Sequence, residues 1–143
     1  MHDLHNNSRA VRSIDPAALT TVAGIAGKVI DRQGFGGVEF IFAYGATGAS
    51  TADIPVVIKE GDVTGTLTSV ADADLIGTEA LAGVAAGTPK TSGVSQQVVK
   101  RIGYKGSKRY VQVSLTNAGT TSAGLIWADA LLFNPEQAPV SNP

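Results

Sequence analysis

Cysteine is absent from the 143-residue sequence, and this absence excludes several chemistries. Without thiols the chain forms no disulfide framework, no thiolate metal site and no cysteine nucleophile. Histidine is scarce too, because the only two, His2 and His5, both lie in a polar N-terminal segment. A catalytic histidine needs packing and a second side chain to orient it, and this segment offers neither. We therefore expect a protein that is not an enzyme and has no cofactor and no bound metal.

A large net charge and long apolar runs are missing as well. Lys and Arg number 11 against 12 Asp and Glu, so the net charge is -1 and gives no general attraction to nucleic acid or anionic lipid. The sequence contains no run of about 18 apolar residues, the length that a membrane-spanning helix needs, and the polar N-terminus lacks the apolar stretch of an export signal. We expect a single domain, not exported through a signal peptide, with neither nucleic acid nor a membrane as a partner.

The sequence does contain a regular series of short β-like segments. Its 17 glycines and 6 prolines are spread so that long helices have little room. Alternating side chains, many of them β-branched or aromatic, predict strands at residues 38–44, 54–60, 96–104 and 109–116, and weaker ones at 28–31 and 65–70. This series predicts an all-β fold, an antiparallel β-sandwich of the jelly-roll kind.

The same pattern predicts how some strands pair. Strands 38–44 and 54–60 are placed to form a hairpin or meander, and the turn 105–108 predicts a hairpin between 96–104 and 109–116. In that hairpin Val111, Val113 and Leu115 would face the core. The apolar segment 123–133, which contains Trp127, favours a strand buried on both faces, with a helix as the alternative.

Both ends of the chain differ from this central part. Residues 1–13 predict a polar N-terminal arm that is flexible or ordered by a partner, and residues 135–143 predict an extended, proline-rich C-terminal tail. The sandwich domain then covers residues 14–134. Near its start, Asp15 and Pro16 are typical of the N-cap and first residue of a short helix.

Three acidic residues are the main candidates for chemistry. Asp72 and Asp74 could supply oxygen ligands to a divalent cation, and Glu79 could join either of them as a hydrolytic pair. A calcium loop would need further ligands at fixed steps, and a hydrolase would need a visible base, nucleophile or metal set. A polar turn is the simpler interpretation.

Charge is distributed unevenly along the chain. Residues 53–79 contain six acids and one base, whereas residues 100–109 contain five bases and no acid. The two stretches could face each other within the fold, or the basic turn of one subunit could meet the acidic stretch of the next. The basic turn could instead touch nucleic acid, with Tyr104 and Tyr110 as stacking platforms, or be an ordinary solvated turn. The sequence leaves these four arrangements open.

Three stretches of the chain are similar to known proteins. The first combines residues 1–4 with 30–35, the second is 72–79 and the third is 100–111. In this order they resemble a group of small virion proteins from tailed bacteriophages and prophages. The resemblance extends over most of the chain and carries over no catalytic residue.

This resemblance implies a structural role in the phage head or its connections. Among such roles we expect a capsid decoration or cement protein that binds across subunits of the major capsid protein and forms a homo-oligomer, such as a trimer. Its location would be the capsid surface, after synthesis in the host cytoplasm. The alternative is a tail, fibre or head-tail connector component that binds a host surface or a carbohydrate, although Trp127, the single indole, lies in a segment predicted to be buried.

We expect contacts with partners in the N-terminal arm, the basic turn and the polar tail. These segments are polar, and the first and last are extended beyond the predicted sandwich. The candidate contact residues are His2, Leu4, His5, Arg9, Arg12, Lys105, Lys108, Arg109 and Tyr110.

Overall fold

The computed structural model describes residues 3–18, 24–45, 53–84, 98–116, 118 and 125–141, and most of them lie in β-strands. Along the chain the elements are α1 (Leu4–Asn7), β1 (Ser8–Ala18), β2 (Ile25–Ala26), β3 (Ile30–Asp31), β4 (Phe35–Tyr44), β5 (Val56–Val63), β6 (Thr66–Ser69), a 3-10 turn (Asp72–Asp74), β7 (Leu75–Ile76), α2 (Glu79–Ala82), β8 (Val98–Tyr104), β9 (Tyr110–Leu115) and β10 (Leu125–Pro135). Within these ranges no helix is long and apolar enough to cross a membrane.

The strands form two antiparallel sheets. Sheet A has the order β1-β10-β4-β8-β7, and sheet B has the order β2-β9-β5-β6, with β3 also paired to β9. With β2 and β3 taken as one interrupted strand, and β7 as an addition at the edge, this is the strand order of an eight-stranded jelly roll. The structure confirms the predicted antiparallel β-sandwich.

The core lies between the two sheets and is built by alternation along the strands. Successive side chains of a strand point to opposite faces, so each sheet contributes one apolar face to the core. The residues buried in this way include Val38, Phe40, Phe42 and Tyr44 in β4, and Val111, Val113 and Leu115 in β9. The predicted strand at 38–44 and the predicted inward side of 109–116 are confirmed.

The two hairpins predicted from the sequence do not form. β4 pairs with β10 and β8, whereas β5 pairs with β9 and β6, so β4 and β5 lie in different sheets. β8 and β9 also lie in different sheets, and the turn between them carries the chain from sheet A across to sheet B. Alternation determines which side of a strand is buried but not which strand is its neighbour. Two strands joined by a short turn can therefore bury their apolar sides from opposite sheets.

The predicted strand at 123–133 is confirmed as β10, but it is not buried on both faces. Its inward side chains are Ile126, Ala128, Ala130 and Leu132. On the other face Trp127 is 38% exposed and Leu125 is 67% exposed. Sheet A has the core on one side only, so the outward residues of β10 meet solvent.

β1 replaces the short helix predicted at Asp15 and Pro16. The strand pairs antiparallel with β10 along its whole length, and its register shifts between Arg12 and Ile14 and again between Ile14 and Ala17. An edge strand with such irregularities accommodates a proline, which lacks the N–H that a regular ladder requires. Pairing with β10 therefore overrides the local capping signal.

Candidate interaction surfaces

The N-terminal and C-terminal segments meet at one end of the sandwich. Residues 8–12 of the predicted arm pair with β10, so only residues 3–7 of its described part precede the sheet. The Val140 N–H donates to the carbonyl of Asn6 at 2.9 Å, and the Glu136 N–H donates to the carbonyl of Gly34 at 2.8 Å. The arm and the tail therefore form one continuous surface.

The arm residues predicted as contacts are exposed on this surface. Leu4 and His5 lie on α1, where the Asp3 carboxylate caps the helix by accepting from the Asn6 N–H at 3.2 Å. This hydrogen bond, with a second from the Asn6 side chain, lowers the pKa of Asp3. His2 lies outside the described residues. The short capped helix presents an apolar side chain, that of Leu4, to solvent.

A cleft of about 320 Å³ lies between β1, the start of β4 and the tail. Arg9 lines it from β1, Phe35 lines it from the start of β4, and Pro139 and Val140 line it from the tail. The described residues supply no ion pair for the exposed Arg9. The cleft therefore combines a cation with apolar walls.

Arg32 organises the turn between β8 and β9. Its guanidinium donates from Nε to the carbonyl of Lys108, from Nη2 to that of Gly106, and from Nη1 to that of Phe35 at 3.1 Å. The guanidinium carbon also lies 5.3 Å from the centre of the Tyr104 ring, within cation–π range. Sequence reasoning missed this residue because two of its partners are 76 and 74 residues away along the chain.

Tyr104 is fully buried, so it is not a stacking platform for nucleic acid bases. Its hydroxyl donates to the Glu60 carboxylate and accepts from the Lys108 N–H at 3.0 Å. Burial, together with the hydrogen bond to Glu60, raises the pKa of Tyr104. Tyr110 is half-buried, and the Arg109 guanidinium lies 4.9 Å from its ring centre. Both tyrosines are therefore engaged within the chain.

Most of the charge on the basic turn is paired within the fold, but only the pair between Lys108 and Asp62 joins the basic and acidic stretches as in the first of the four arrangements, because the partner of Arg109 is Asp31, outside the acidic stretch. The Lys108 ammonium lies 2.6 Å from the Asp62 carboxylate, and Arg109 donates to both oxygens of Asp31 at 3.0 and 2.7 Å. These hydrogen bonds lower the pKa values of both carboxyl groups. Lys105 has no ion pair in the part of the chain that the structure describes.

The structure brings the two sets of predicted contact residues together. Arg32 joins the turn between β8 and β9 to Phe35, and Phe35 pairs with Pro135 at the end of β10. The turn and the terminal segments therefore share one end of the sandwich, called here the 105–109 end. Its candidate contact residues are Leu4, His5, Arg9, Lys105, Lys108, Arg109 and Tyr110.

Arg12 is the exception among the described contact candidates. It lies further along β1, opposite Asp129 of β10, and its guanidinium is 3.5 Å from the Asp15 carboxylate. The ammonium of Lys28 approaches the same carboxylate at 3.0 Å. Arg12 therefore belongs to the side of sheet A rather than to the 105–109 end.

Of the acidic residues considered for chemistry, Glu79 has a side chain that is used within the fold. The Glu79 carboxylate accepts a hydrogen bond from the Ile58 N–H of β5 at 2.6 Å. Asp72 and Asp74 lie in the 3-10 turn, where the Asp74 carbonyl accepts from the Lys105 N–H at 2.9 Å. Among the described residues no three His, Asp or Glu side chains are grouped to hold a metal ion. A cleft of about 330 Å³ beside Glu79 has mainly apolar walls.

The outer face of sheet A, meaning the side turned away from the core, carries apolar side chains that were not predicted to be there. Trp127 of β10, Ala43 of β4 and Val99 of β8 lie side by side across three strands. Val99 is 72% exposed, more than Trp127. The sequence contained one sign that this face is exposed. Asp129 is charged and lies two residues from Trp127, so both side chains point to the same side of the strand.

A cleft of about 240 Å³ lies beside Trp127 on this side of the sheet. It is lined by Arg12, Ile14, Pro16, Trp127 and Asp129. The cleft therefore combines an indole with one cation and one anion, the mixture of apolar and polar groups that is typical of a site for a small ligand.

The fold defines the class of this protein as a jelly-roll β-sandwich, a class that includes both viral capsid and lectin domains. No protein-family model matches the chain, and no curated protein matches it. Among solved structures, the PBSX exported protein XepA is similar over 99% of this chain, with a TM-score of 0.59 and 19% identity. The chain spans 42% of XepA, so it is similar to part of a longer protein. At this identity the likeness shows a shared fold.

Two other solved structures are more distant. The dimeric latent PorU from Porphyromonas gingivalis is 8% identical, with a TM-score of 0.47 over 90% of this chain and 13% of its own. The CBM22-1 xylan-binding domain from Paenibacillus barcinonensis Xyn10C is 10% identical, with a TM-score of 0.43 over 92% of this chain and 91% of its own. Neither likeness is close enough to inform the function of this chain.

Proposed function

We propose that this chain is a non-enzymatic structural protein of a bacteriophage particle, and that it decorates the capsid by binding across subunits of the major capsid protein. The resemblance of three of its stretches to small phage virion proteins supports the phage role. The jelly-roll fold is compatible with that role, because viral capsid domains use it. The place of action is the capsid surface.

The observation that carries the proposal is the convergence of contact candidates on the 105–109 end. The arm, the tail and the basic turn are far apart in sequence, yet they form one surface. On this surface Lys105 and Arg9 are exposed cations without an ion pair among the described residues, and Leu4 is an exposed apolar side chain. Cations beside apolar groups suit docking to an acidic, partly apolar protein surface.

Binding to the shell would itself be the activity. A protein that binds only the assembled lattice stabilises that lattice by the binding free energy, which is lost when the shell comes apart. Several weak contacts act together when they are held in one oligomer at high effective concentration. No catalytic residue is needed for this role.

The first test is co-sedimentation with expanded capsids stripped of this protein. We expect saturation at hundreds of copies per shell, and we expect the double variant Arg9→Glu with Lys105→Glu to bind about a hundredfold more weakly, because two unpaired cations are reversed. The matched control is Lys59→Glu in the middle of β5, which should bind like the wild type. Binding of only a few copies per shell, or equal binding by the double variant, would contradict the proposal.

A test of the N-terminal arm should delete fewer residues than the predicted arm, residues 1–13, contains. Residues 8–12 pair with β10, so removing the first 12 residues would also remove part of a strand. Deletion up to residue 7 keeps β1 intact and removes α1 with Leu4 and His5. This deletion is the appropriate companion to the charge reversal in the co-sedimentation measurement.

A second candidate function is carbohydrate binding by a tail or fibre component, and it is favoured by the exposure of Trp127. The indole lies beside Arg12 and Asp129 in the 240 Å³ cleft, where it could stack on a sugar ring while the charged groups bind hydroxyls. This function predicts that the isolated protein binds host cells or their glycans in a pull-down, and that Trp127→Ala abolishes this binding. Retained binding by Trp127→Ala, with loss in the 105–109 end variants, would count against it.

A further inference from the structure

The outer face of sheet A is complementary to itself. Strand register places Asp129 of β10, Ile41 of β4 and Arg101 of β8 in one row across the face. Asp129 and Arg101 are therefore each one strand away from Ile41, on opposite sides of it. Arg101 is exposed, and the Asp129 carboxylate makes no ion pair with the described residues.

We propose that two copies of this chain pack the outer faces of their sheets A together around a two-fold axis that runs along β4, between the sheets. Such an axis places β10 of one copy over β8 of the other, and β4 over β4. Asp129 of each copy then faces Arg101 of the other copy, while Ile41 lies near the axis and faces its equivalent. Reciprocal contacts of this kind define a closed, isologous dimer.

The shapes of the two sides of the face are complementary as well. In the next row Trp127 of β10 and Val99 of β8 flank Ala43, so the large indole of one copy meets the smaller valine of the other. Alternation of large and small side chains lets two sheets interdigitate. The apolar side chains that are exposed in the single chain would be removed from water by this packing.

Glu39 lies on β4 two residues from Ile41, so its two copies in the dimer could repel each other near the axis. The position of the side chain avoids this repulsion. Its carboxylate is 3.5 Å from the Arg101 guanidinium, and Oε2 lies 2.6 Å from the position that a Cβ of Gly103 would occupy. The carboxylate therefore leans over Gly103 of β8, away from the axis. The glycine leaves room for it, and the two copies of Glu39 point in opposite directions.

The size of the face suits a weak dimer. With β4 on the axis, the strands that face each other are β10, β4 and β8, and the register of β4 with β8 covers seven residues. At about 5 Å per strand and about 3.3 Å per residue, this is roughly 350 Å² per copy. Two such faces together bury about 700 Å², the size of a weak interface that forms at high protein concentration. The inference goes beyond the proposed function because it names the surface through which copies associate, and its test requires no capsid.

The test uses charge reversal in the two halves of the reciprocal pair. Sedimentation velocity over a concentration series should show a monomer–dimer equilibrium for the wild type. Asp129→Arg and Arg101→Asp should each weaken dimerisation about a hundredfold or more, because each places two pairs of like charges across the interface. An equimolar mixture of the two variants should form a heterodimer, since both of its charge pairs are then attractive.

A further variant guards against effects on folding. Val99→Arg changes a highly exposed side chain, so the single chain should keep its thermal unfolding transition while losing dimerisation. Lys59→Asp on sheet B is the matched control and should dimerise like the wild type. A wild type that stays monomeric, a trimer, or two single variants that fail to associate when mixed would each overturn the inference. If the wild type stays monomeric, binding of a glycan to Trp127 would instead identify the outer face of sheet A as a carbohydrate-binding surface.

Discussion

Replacing Arg32 with alanine is expected to lower the free energy of unfolding by about 3 kcal/mol, because backbone carbonyls at Lys108, Gly106 and Phe35 would lose a charged donor in a partly buried site. The ring of Tyr104 would also lose the cation stacked on it. Urea unfolding at equilibrium measures the change. The effect is large for a half-buried residue because one side chain ties together two turns and the buried tyrosine.

Arg32→Lys is the matched control for this prediction. Lysine keeps the positive charge but cannot donate from several fixed positions in one plane, so it should recover less than half of the lost stability. Because Arg32 supports the 105–109 end, the proposed function predicts that Arg32→Ala also weakens binding to capsids at a temperature where the protein is still folded. Full stability of the alanine variant would show that the turn between β8 and β9 is held by other contacts.

Replacing Phe42 with alanine is expected to lower the free energy of unfolding by about 4 kcal/mol. Phe42 is completely buried, and its ring is stacked on Tyr44 with 6.1 Å between the ring centres. The substitution would leave a cavity between the two sheets, where the surrounding side chains are too closely packed to collapse into it. Chemical denaturation provides the measurement.

The neighbouring residue on the same strand is the control. Ile41 points to the outer face of sheet A, so Ile41→Ala should cost about 1 kcal/mol when measured at low protein concentration, where copies remain separate. The contrast between two consecutive residues tests the inside–outside assignment of β4 directly. Equal losses would mean that the outer face is covered in the isolated chain.

The sequence contained enough information to predict which residues form the core. Alternation along 38–44 and 109–116 reflects the two faces of a strand, and Val111, Val113 and Leu115 are buried as expected. The same pattern could not predict the neighbours of these strands. A short turn after β8 suits a hairpin and a crossing between sheets equally well, and only the packing of the whole sandwich decides between them.

The proposed contact surface was predictable in its parts but not as a whole. Polar terminal segments and a basic turn are visible in the sequence, whereas their meeting at one end depends on β1 pairing with β10 and on the long-range bonds of Arg32. The helix expected at Asp15 failed for a related reason, since strand pairing outweighs a local cap. Trp127 was wrongly predicted to be buried. The segment around it is apolar on both sides of the strand, with alanines at inward positions, so the sequence shows no clear alternation between inward and outward side chains.

The edge strands of the two sheets are short or irregular, and this limits association of copies by strand addition. Among the described residues, sheet A ends in the two-residue β7 on one side and, on the other, in β1 with its register shifts and Pro16; sheet B ends in the four-residue β6 and the interrupted pair β2 and β3. Short or broken edges offer few free backbone groups as a template for another strand. Copies of this chain therefore have little means of adding strand to strand into fibrils, even at high local concentration.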